Sequence, residues 1–279
     1  MSKGVKTHYT AFMMETERLK QILNQYGLKP NKALGQNFLV DAEALNAIAD
    51  GAKIEGAQVL EIGPGLGALT ERLLQRAARV EAVEKDARLA EILRERYPDE
   101  RLTVHTMDVL QVRPEQFFDG PWHAVGNLPY YITTPIAEKM LCFLPESMTY
   151  LVQKEAADRF FAQPGDRIYG PLPVLSQVFY RPERCLFVGR GSFYPQPEVD
   201  SAVVHLERRE APEGLAPAAF FGFLNRAFAM RRKTLQNNLK GTPGLFEALE
   251  TLSIDPGVRA ETLSPETLAR LCLELQEGR

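Results

Sequence analysis

The sequence predicts an α/β fold in which a mostly parallel sheet is followed by a small helical domain. From residue 58 onward, short β-rich runs alternate with amphipathic helical patterns, as βαβ crossovers require. A linker-like stretch, EAPEGLAPAA, begins at residue 210, and only helical patterns come after it. We therefore expect an α/β domain over residues 1–208 and a helical domain over residues 209–279.

The individual elements follow from the period of the apolar residues. The predicted strands cover 58–62, 79–84, 102–107, 122–126, 148–153, 184–189 and 200–207. The predicted helices between them lie near 67–77, 86–96 and 135–143. Upstream, residues 15–26 predict a helix that ends at Gly27, and Asp41 is a candidate N-cap for the next one. Ligands of such folds bind at the carboxyl ends of the strands.

Composition narrows the class of protein. The 279 residues are 45% apolar and 25% charged, with a net charge of −3, which is ordinary for a globular protein and gives no sign of a nucleic-acid partner. No apolar run reaches the roughly 20 residues of a membrane span, and the N-terminus lacks a signal-peptide core. The three scattered cysteines and four scattered histidines predict neither disulfides nor a metal site, and favour the cytoplasm.

A glycine-rich turn, EIGPGLGALTERL at 61–73, lies between the first predicted strand and its helix. Its glycines are Gly63, Gly65 and Gly67. Bare backbone there lets a ligand approach closely. Glu84 ends the second strand, where an acidic side chain accepts hydrogen bonds from ribose hydroxyls, and Asp108 follows the third. These features indicate a nucleoside cofactor, and the spacing alone leaves a nicotinamide enzyme open.

A second motif, GNLPYYITTP at 126–135, follows the fourth predicted strand. Asn127 brings an amide oxygen to the strand's end, and Pro129 keeps neighbouring carbonyl groups out of a helix. Tyr130 adds a flat aromatic face, and Thr134-Pro135 predicts the N-cap and first residue of the next helix. Convergent acceptors beside an aromatic ring suit the exocyclic amine of a stacked base.

These motifs resemble those of a known family. NLPY resembles the amine-binding motif of N6-adenine methyltransferases that use S-adenosylmethionine, and EIGPGLGALT resembles their cofactor loop. KALGQNFL (32–39), FYPQPEVDS (193–201) and FAMRRKTLQNNL (228–239) resemble the KsgA-type small-subunit ribosomal RNA adenine dimethyltransferases. The resemblance extends from about residue 28 to 240 and implies a Rossmann-like class I methyltransferase domain.

The resemblance also implies roles for the matching residues. The cofactor pocket is expected to contain Gln36, Asn37, Leu39, Gly63, Gly65, Glu84, Lys85, Asp108, Val109 and Asn127. Glu84 is expected to hold the ribose, and Asp108 to read the cofactor adenine. The target base is expected to contact Asn127, Leu128, Pro129, Tyr130 and Phe193. Tyr130 is expected to stack on that base, with Phe193 as the opposite wall.

A basic stretch supports an RNA partner. Residues 214–246 contain no Asp or Glu but several cations. We expect phosphate contacts from Arg226, Arg231, Arg232 and Lys233. The apolar positions Phe220, Leu224, Ala227 and Phe228 share one helical face and are predicted to be core.

The implied activity is dimethylation at N6 of two adjacent adenosines, in the hairpin loop near the 3′ end of 16S rRNA. The implied partner is the small ribosomal subunit, and we expect a cytoplasmic monomer. Two alternatives stay open: a 23S rRNA adenine resistance methyltransferase, and a mainly non-catalytic RNA-binding assembly factor. RRKTLQNNL and LGQNFL favour the small subunit, and the intact NLPY argues against loss of catalysis. A nicotinamide dehydrogenase comes last, since nothing resembles a hydride-transfer site.

Overall fold

A computed structural model gives the fold, and the structure describes residues 15–31 and 35–277. Three residues of the KALGQNFL motif, at positions 32–34, lie outside the described residues, as does the N-terminal stretch before residue 15.

The chain divides into two compact units. The first comprises the residues up to Ile136, Pro145–Ala157 and Glu183–His205, and the second comprises Ala137–Leu144, Asp158–Pro182 and the residues from Leu206 onward. The second unit therefore includes two segments that precede residue 208. The assignment of separate functions to residues 1–208 and 209–279 stays a prediction.

The strands lie close to their predicted positions. They are β1 (Phe38–Leu39), β2 (Gln58–Ile62), β3 (Arg79–Glu84), β4 (Leu102–Thr106), β5 (Trp122–Asn127), β6 (Ser147–Gln153), β7 (Tyr180–Val188), β8 (Phe193–Tyr194) and β9 (Ser201–Arg208). The seven predicted strands are confirmed, although β7 begins at Tyr180 instead of residue 184. The additional pair, β1 and β8, is too short to show a period in the sequence.

The main sheet has the order β4-β3-β2-β5-β6-β9-β7, and β1 pairs with β8 in a separate antiparallel ribbon. Strands β4, β3, β2, β5 and β6 are joined by parallel ladders. The predicted mostly parallel sheet is thus confirmed. Because these strands run in the same direction, the residues that follow β2, β3 and β5 meet at one edge.

The helices come between the strands and dominate the end of the chain. They are α1 (15–25), α2 (Ala42–Gly51), α3 (Ala68–Leu74), α4 (Ala87–Arg96), α5 (Thr133–Phe143), α6 (Lys154–Arg159), α7 (Pro171–Phe179), α8 (Pro217–Ala227), α9 (Leu235–Asn238), α10 (Leu245–Thr251) and α11 (Pro265–Glu277). No helix within the described ranges is both long enough and apolar enough to span a membrane.

Two predicted helix boundaries are confirmed. Gly27 adopts a φ of +59° after α1, and the amide of Leu28 donates to the carbonyl of Leu23 at 2.7 Å, as a glycine C-terminal stop requires. Asp41 caps α2, because its Oδ1 accepts hydrogen bonds from the amides of Glu43 and Ala44, each at 3.1 Å.

The predicted N-cap at Thr134 is wrong, since α5 already begins at Thr133. A 3₁₀ turn at Tyr130–Ile132 leads directly into the helix. The carbonyl of Pro129 accepts hydrogen bonds from the amide of Ile132 at 3.2 Å and from the Thr133 hydroxyl at 3.1 Å. Those bonds start the winding earlier, so Thr134 and Pro135 lie within the first helical turn.

The core of the first unit forms where α2 and α3 pack on the sheet. Ile48, Val59, Leu73 and Val80 are fully buried members of one cluster. In the second unit, the predicted apolar face of α8 is buried at Phe220, Leu224 and Ala227. Phe228 is half-buried, with its ring edge-on to that of Tyr169 at 5.9 Å between centroids.

Candidate active site

The loop after β2 is shaped by glycines that lie close to other parts of the first unit. A Cβ atom at Gly65, whose φ is +57°, would lie 3.2 Å from the ring of Phe38. A Cβ at Gly67, whose φ is +89°, would lie only 2.3 Å from the ring of Tyr97. Both positions combine a left-handed backbone with too little room for a side chain. The loop therefore presents bare main chain at the sheet edge.

Glu84, at the end of β3, is fixed to this loop. Its Oε2 accepts a hydrogen bond from the amide of Gly65 at 3.1 Å, and its Oε1 accepts one from the amide of Asp86 at 2.9 Å. Burial raises the pKa of Glu84, and the two amide donors oppose that rise. Since a carboxylate has about four lone-pair sites, each oxygen can accept a further hydrogen bond.

The turn after β5 brings polar groups to the same edge. The Asn127 side-chain amide donates to the carbonyl of Asn37 at 3.3 Å, an orientation that leaves its oxygen available as an acceptor. The amide of Leu128 donates to the carbonyl of Leu151 at 3.0 Å, which ties the turn to β6. The carbonyl of Pro129 already accepts hydrogen bonds at the start of α5. The candidate acceptors for a ligand are therefore the Asn127 side chain and the Leu128 carbonyl.

Tyr130 is half-buried, and its hydroxyl lies 3.2 Å from the Ser201 hydroxyl at the start of β9. Burial raises the pKa of Tyr130, and the contact with Ser201 lowers it in part. The phenol is therefore neutral at physiological pH and held by its polar end, so that its ring is fixed. Ser201 belongs to the FYPQPEVDS motif, which gives that motif a structural link to NLPY.

Most of the predicted site residues line a single cavity. Those that do are Gln36, Asn37, Leu39, Gly63, Gly65, Glu84, Lys85, Asn127, Leu128, Pro129 and Tyr130. The exceptions are Asp108, Val109 and Phe193. The structure thus brings together residues separated by nearly a hundred positions in the sequence.

The exceptions have other contacts. Asp108 accepts from the Lys85 ammonium at 2.8 Å and caps a 3₁₀ turn through the amide of Leu110 at 2.9 Å. Val109 is buried in that turn. Phe193 is buried in the core, where β8 pairs it with Leu39 of β1. Their roles toward cofactor and base stay predictions.

Gln36 uses both ends of its side-chain amide within the protein. Its oxygen accepts from the amide of Asn31 at 2.8 Å, and its nitrogen donates to Asp86 at 3.2 Å. Asp86 is also the N-cap of α4. Gln36 therefore ties the segment before β1 to the start of α4 while it lines the cavity.

The sequence reasoning missed part of the cavity wall. Helix α1 contributes Glu15, Arg18, Leu19 and Ile22, and the chain also contributes Phe38 and Tyr131. Ion pairs join α1 to α3, from Arg18 to Glu71 at 3.3 Å and from Arg72 to Glu15 at 3.5 Å. The amphipathic pattern of residues 15–26 predicted the helix but carried no information about which surface it covers.

The four predicted RNA-binding residues lie in the second unit and are exposed. Arg231 is engaged, because its Nε lies 2.8 Å from Glu261 and its guanidinium also donates to the carbonyls of Arg167 and Asp166. Arg226 donates to the Thr242 hydroxyl at 3.3 Å. Within the described ranges, Arg232 and Lys233 show no side-chain hydrogen bond or ion pair. Two of the four cations are thus free to meet a ligand without losing a partner.

The sheet order, the glycine loop after β2 and the acidic residue ending β3 define a Rossmann-like class I methyltransferase fold. The crystal structure of a dimethyladenosine transferase from Plasmodium falciparum matches with a TM-score of 0.70 and 26% identity, over 85% of this chain and 96% of that one. The crystal structure of the 23S rRNA methyltransferase ErmE matches with a TM-score of 0.62 and 31% identity, over 86% and 100%.

The family model for ribosomal RNA adenine dimethylase matches residues 11–277, and the chain belongs to that family. Two relatives carry the name ribosomal RNA small subunit methyltransferase A. The one from Novosphingobium aromaticivorans is 44% identical over 272 residues, which cover 93% of this chain and 99% of the relative. The one from Bacillus mycoides is 44% identical over 274 residues, 91% and 94% of the two chains. The predicted family and fold class are confirmed.

Proposed function

We propose that this enzyme transfers methyl groups from S-adenosylmethionine to N6 of two adjacent adenosines, in the hairpin loop near the 3′ end of 16S rRNA in the small ribosomal subunit. One observation carries the proposal: the glycine loop and the NLPY turn face the same cavity. A Cβ at Gly63 would lie 3.6 Å from the main-chain carbonyl oxygen of Asn127, so the bare glycine loop lies directly against the main chain of the NLPY turn.

The residues present fit the proposed cofactor. Glu84 is 8% exposed, lines the cavity, and keeps acceptor capacity beyond its bonds to Gly65 and Asp86, which suits the hydroxyls of a ribose. Gly63, with a φ of +68°, offers main chain without a side chain for close approach. When bound, S-adenosylmethionine supplies a methyl group already activated by its sulfonium.

Asn127 and the Leu128 carbonyl can then accept hydrogen bonds from an adenine amine at the end of β5. The nitrogen of this amine is a poor nucleophile because its lone pair is delocalised into the ring. Two fixed acceptors favour a more tetrahedral nitrogen and stabilise the positive charge that develops on it. Tyr130, fixed through Ser201, provides a face for stacking and for attraction of that charge.

Holding the amine and the methyl group in line supplies much of the expected rate acceleration. In favourable systems such positioning contributes on the order of 7–11 kcal/mol. The target adenine must leave its stack to reach the cavity, as base-modifying enzymes generally require. The free cations Arg232 and Lys233 are suited to contact phosphates of the RNA, and such contacts supply much of the affinity of nucleic-acid binding.

A 23S rRNA methyltransferase activity is the second candidate, because ErmE shares the fold at 31% identity. The relatives named for the small subunit are more similar, at 44% identity over at least 91% of this chain. The small subunit is therefore the better-supported substrate.

Methyl transfer from labelled S-adenosylmethionine to unmethylated small subunits, with large subunits assayed in parallel, tests the proposal. We expect label only in the small subunit, with primer-extension stops at two adjacent adenosines. Label in the large subunit would indicate the second candidate. Binding to small subunits without methyl transfer would identify a non-catalytic assembly factor.

A further inference from the structure

Tyr131 is an exposed aromatic residue beside the proposed target site. The residue is 54% exposed although it lines the cavity together with Tyr130 and Lys85. A tyrosine at the rim of a cleft presents a flat apolar face to solvent.

The ring of Tyr131 lies against the backbone of Gly35. A Cβ at Gly35 would lie 3.5 Å from Cδ1 and 3.8 Å from Cε1 of Tyr131, so the ring packs against a residue without a side chain. Gly35 has a φ of +63°, a conformation that L side chains rarely adopt. The Cδ1–Cε1 side of the ring thus lies against the protein, and the exposed remainder of the ring is open to a ligand.

Tyr130 and Tyr131 differ although they are consecutive. Tyr130 is half-buried and bonded to Ser201, whereas no side-chain hydrogen bond of Tyr131 occurs in the described part of the chain. Both lie in the 3₁₀ turn at Tyr130–Ile132, where successive side chains diverge by about a third of a turn. One ring therefore faces the interior of the site and the next one faces the rim.

An adenine that enters the cleft leaves the stack of the RNA and uncovers a face of the neighbouring base. We propose that Tyr131 stacks on this neighbouring base while the target adenine occupies the cleft. The inference rests on the proposed function and extends it: with two adjacent adenosines, one adenine lies on the rim ring while the other is methylated.

Stacking of a base on an aromatic side chain contributes about 1–3 kcal/mol, or roughly 5- to 150-fold in affinity. The test measures the Kd for unmethylated small subunits, the methylation rate on the same samples, and the Kd for S-adenosylmethionine. The variants are Tyr131→Ala and Tyr131→Phe. Phe187→Ala is the matched control, since Phe187 is 57% exposed in the same unit but does not line the cavity.

We expect Tyr131→Ala to weaken subunit binding within that range and to leave the Kd for S-adenosylmethionine unchanged. Tyr131→Phe should restore binding to within about twofold of wild type, because the ring does the stacking. Unchanged subunit affinity for Tyr131→Ala, an equal loss for Phe187→Ala, or a weaker cofactor affinity would each overturn the inference. A wild-type protein that binds subunits without methylating them would instead overturn the proposed function, and the ratio of subunit affinities would still decide the role of Tyr131.

Discussion

Strands β2 and β5 are neighbours in the sheet and end at the same edge, yet the residues at their ends differ in chemical character. The register pairs Ile62, the last residue of β2, with Gly126, the second-last residue of β5. The loop after β2 has glycine backbone. The last residue of β5 carries an amide side chain, and a proline and an aromatic ring follow in the turn after it. The glycine backbone after β2 lets a ligand approach closely. The amide oxygen and the aromatic ring at the end of β5 can stabilise positive charge on a ligand.

The two ends are also held at a fixed distance. A Cβ at Gly126 would lie 2.5 Å from the carbonyl oxygen of Ile62, so no side chain fits between the strands at that point. The difference between the ends suggests a division of work. The β2 end, with Glu84 beside it, determines cofactor affinity, and the β5 end determines the rate of reaction at the amine.

The largest expected effect is on the rate. Asn127→Ala should lower methylation at saturating substrates by about 10²–10³-fold, by analogy with the removal of one preorganised hydrogen-bonding group from an oxyanion hole. Single-turnover transfer from labelled cofactor measures it. Gln153→Ala is the matched control, since Gln153 carries an amide at the end of the adjacent strand β6 but does not line the cavity. Wild-type rates for Asn127→Ala would remove that residue from the reaction.

The next effect concerns the buried acid at position 61 in β2. Glu61 is 1% exposed, and neither carboxyl oxygen has a hydrogen-bond partner of good geometry in the described part of the chain. Burial raises the pKa of Glu61 from 4.5 to about 8, although the nearby Thr70 hydroxyl lowers it in part, and the Glu84 carboxylate adds to the rise. Between pH 4.5 and about pH 8, the Glu61 carboxyl is protonated in the folded state and ionised in the unfolded state. The free energy of unfolding therefore falls as the pH rises through this window.

Glu61→Gln should remove this dependence. Relative to wild type, its free energy of unfolding should increase by about 2 kcal/mol between pH 6 and pH 8, at about 1.4 kcal/mol per pH unit well below the folded pKa and at a smaller slope close to it. Urea unfolding at several pH values measures the difference. Parallel stability curves for variant and wild type would show that the Glu61 carboxyl is not protonated in the folded state.

Cofactor affinity should change by a similar amount. Glu84→Ala removes a charged acceptor, and such hydrogen bonds contribute about 1.5–3 kcal/mol, or roughly 10- to 150-fold in the Kd for S-adenosylmethionine. Titration calorimetry measures it, with thermal unfolding to confirm that the loop tied by Gly65 remains folded. An unchanged Kd in a folded variant would exclude Glu84 from the cofactor site.

The smallest effects are expected in the basic segment, outside the cavity. Replacing Arg232 and Lys233 by Ala should weaken subunit binding and reduce the log–log salt slope by roughly 0.7–0.9 for each lost phosphate contact. Arg231→Ala should instead lower the free energy of unfolding by about 0.2–1 kcal/mol, because this side chain is paired with Glu261 and is 45% exposed. Subunit affinity at several salt concentrations tests the double variant, and urea unfolding tests Arg231→Ala. Equal salt slopes for the double variant and wild type would place RNA docking elsewhere.

The sequence predicted the sheet and most of the cavity because strand ends in a parallel sheet meet at one edge. Gly63, Glu84 and Asn127 follow or end the first, second and fourth predicted strands, so their proximity could be inferred without coordinates. The caps at Gly27 and Asp41 were equally local and equally predictable.

Contacts between distant segments could not be predicted in this way. Nothing local to Arg231 indicates its pairing with Glu261, which is 30 positions away. Phe193 fits a motif, but its burial depends on the two-residue pairing of β8 with β1, which has no period to detect. The start of α5 at Thr133 depends on hydrogen bonds to the Pro129 carbonyl that override the usual Thr-Pro signal.

The most direct test of the division between the two strand ends is a paired measurement on Asn127→Ala and Glu84→Ala. For each variant, the methylation rate at saturating cofactor and small subunit is measured beside the Kd for S-adenosylmethionine. We expect a crossed pattern, in which Asn127→Ala loses mainly rate and Glu84→Ala loses mainly cofactor affinity. The reverse pattern, with Glu84→Ala slow at saturation and Asn127→Ala reduced only in cofactor affinity, would contradict it.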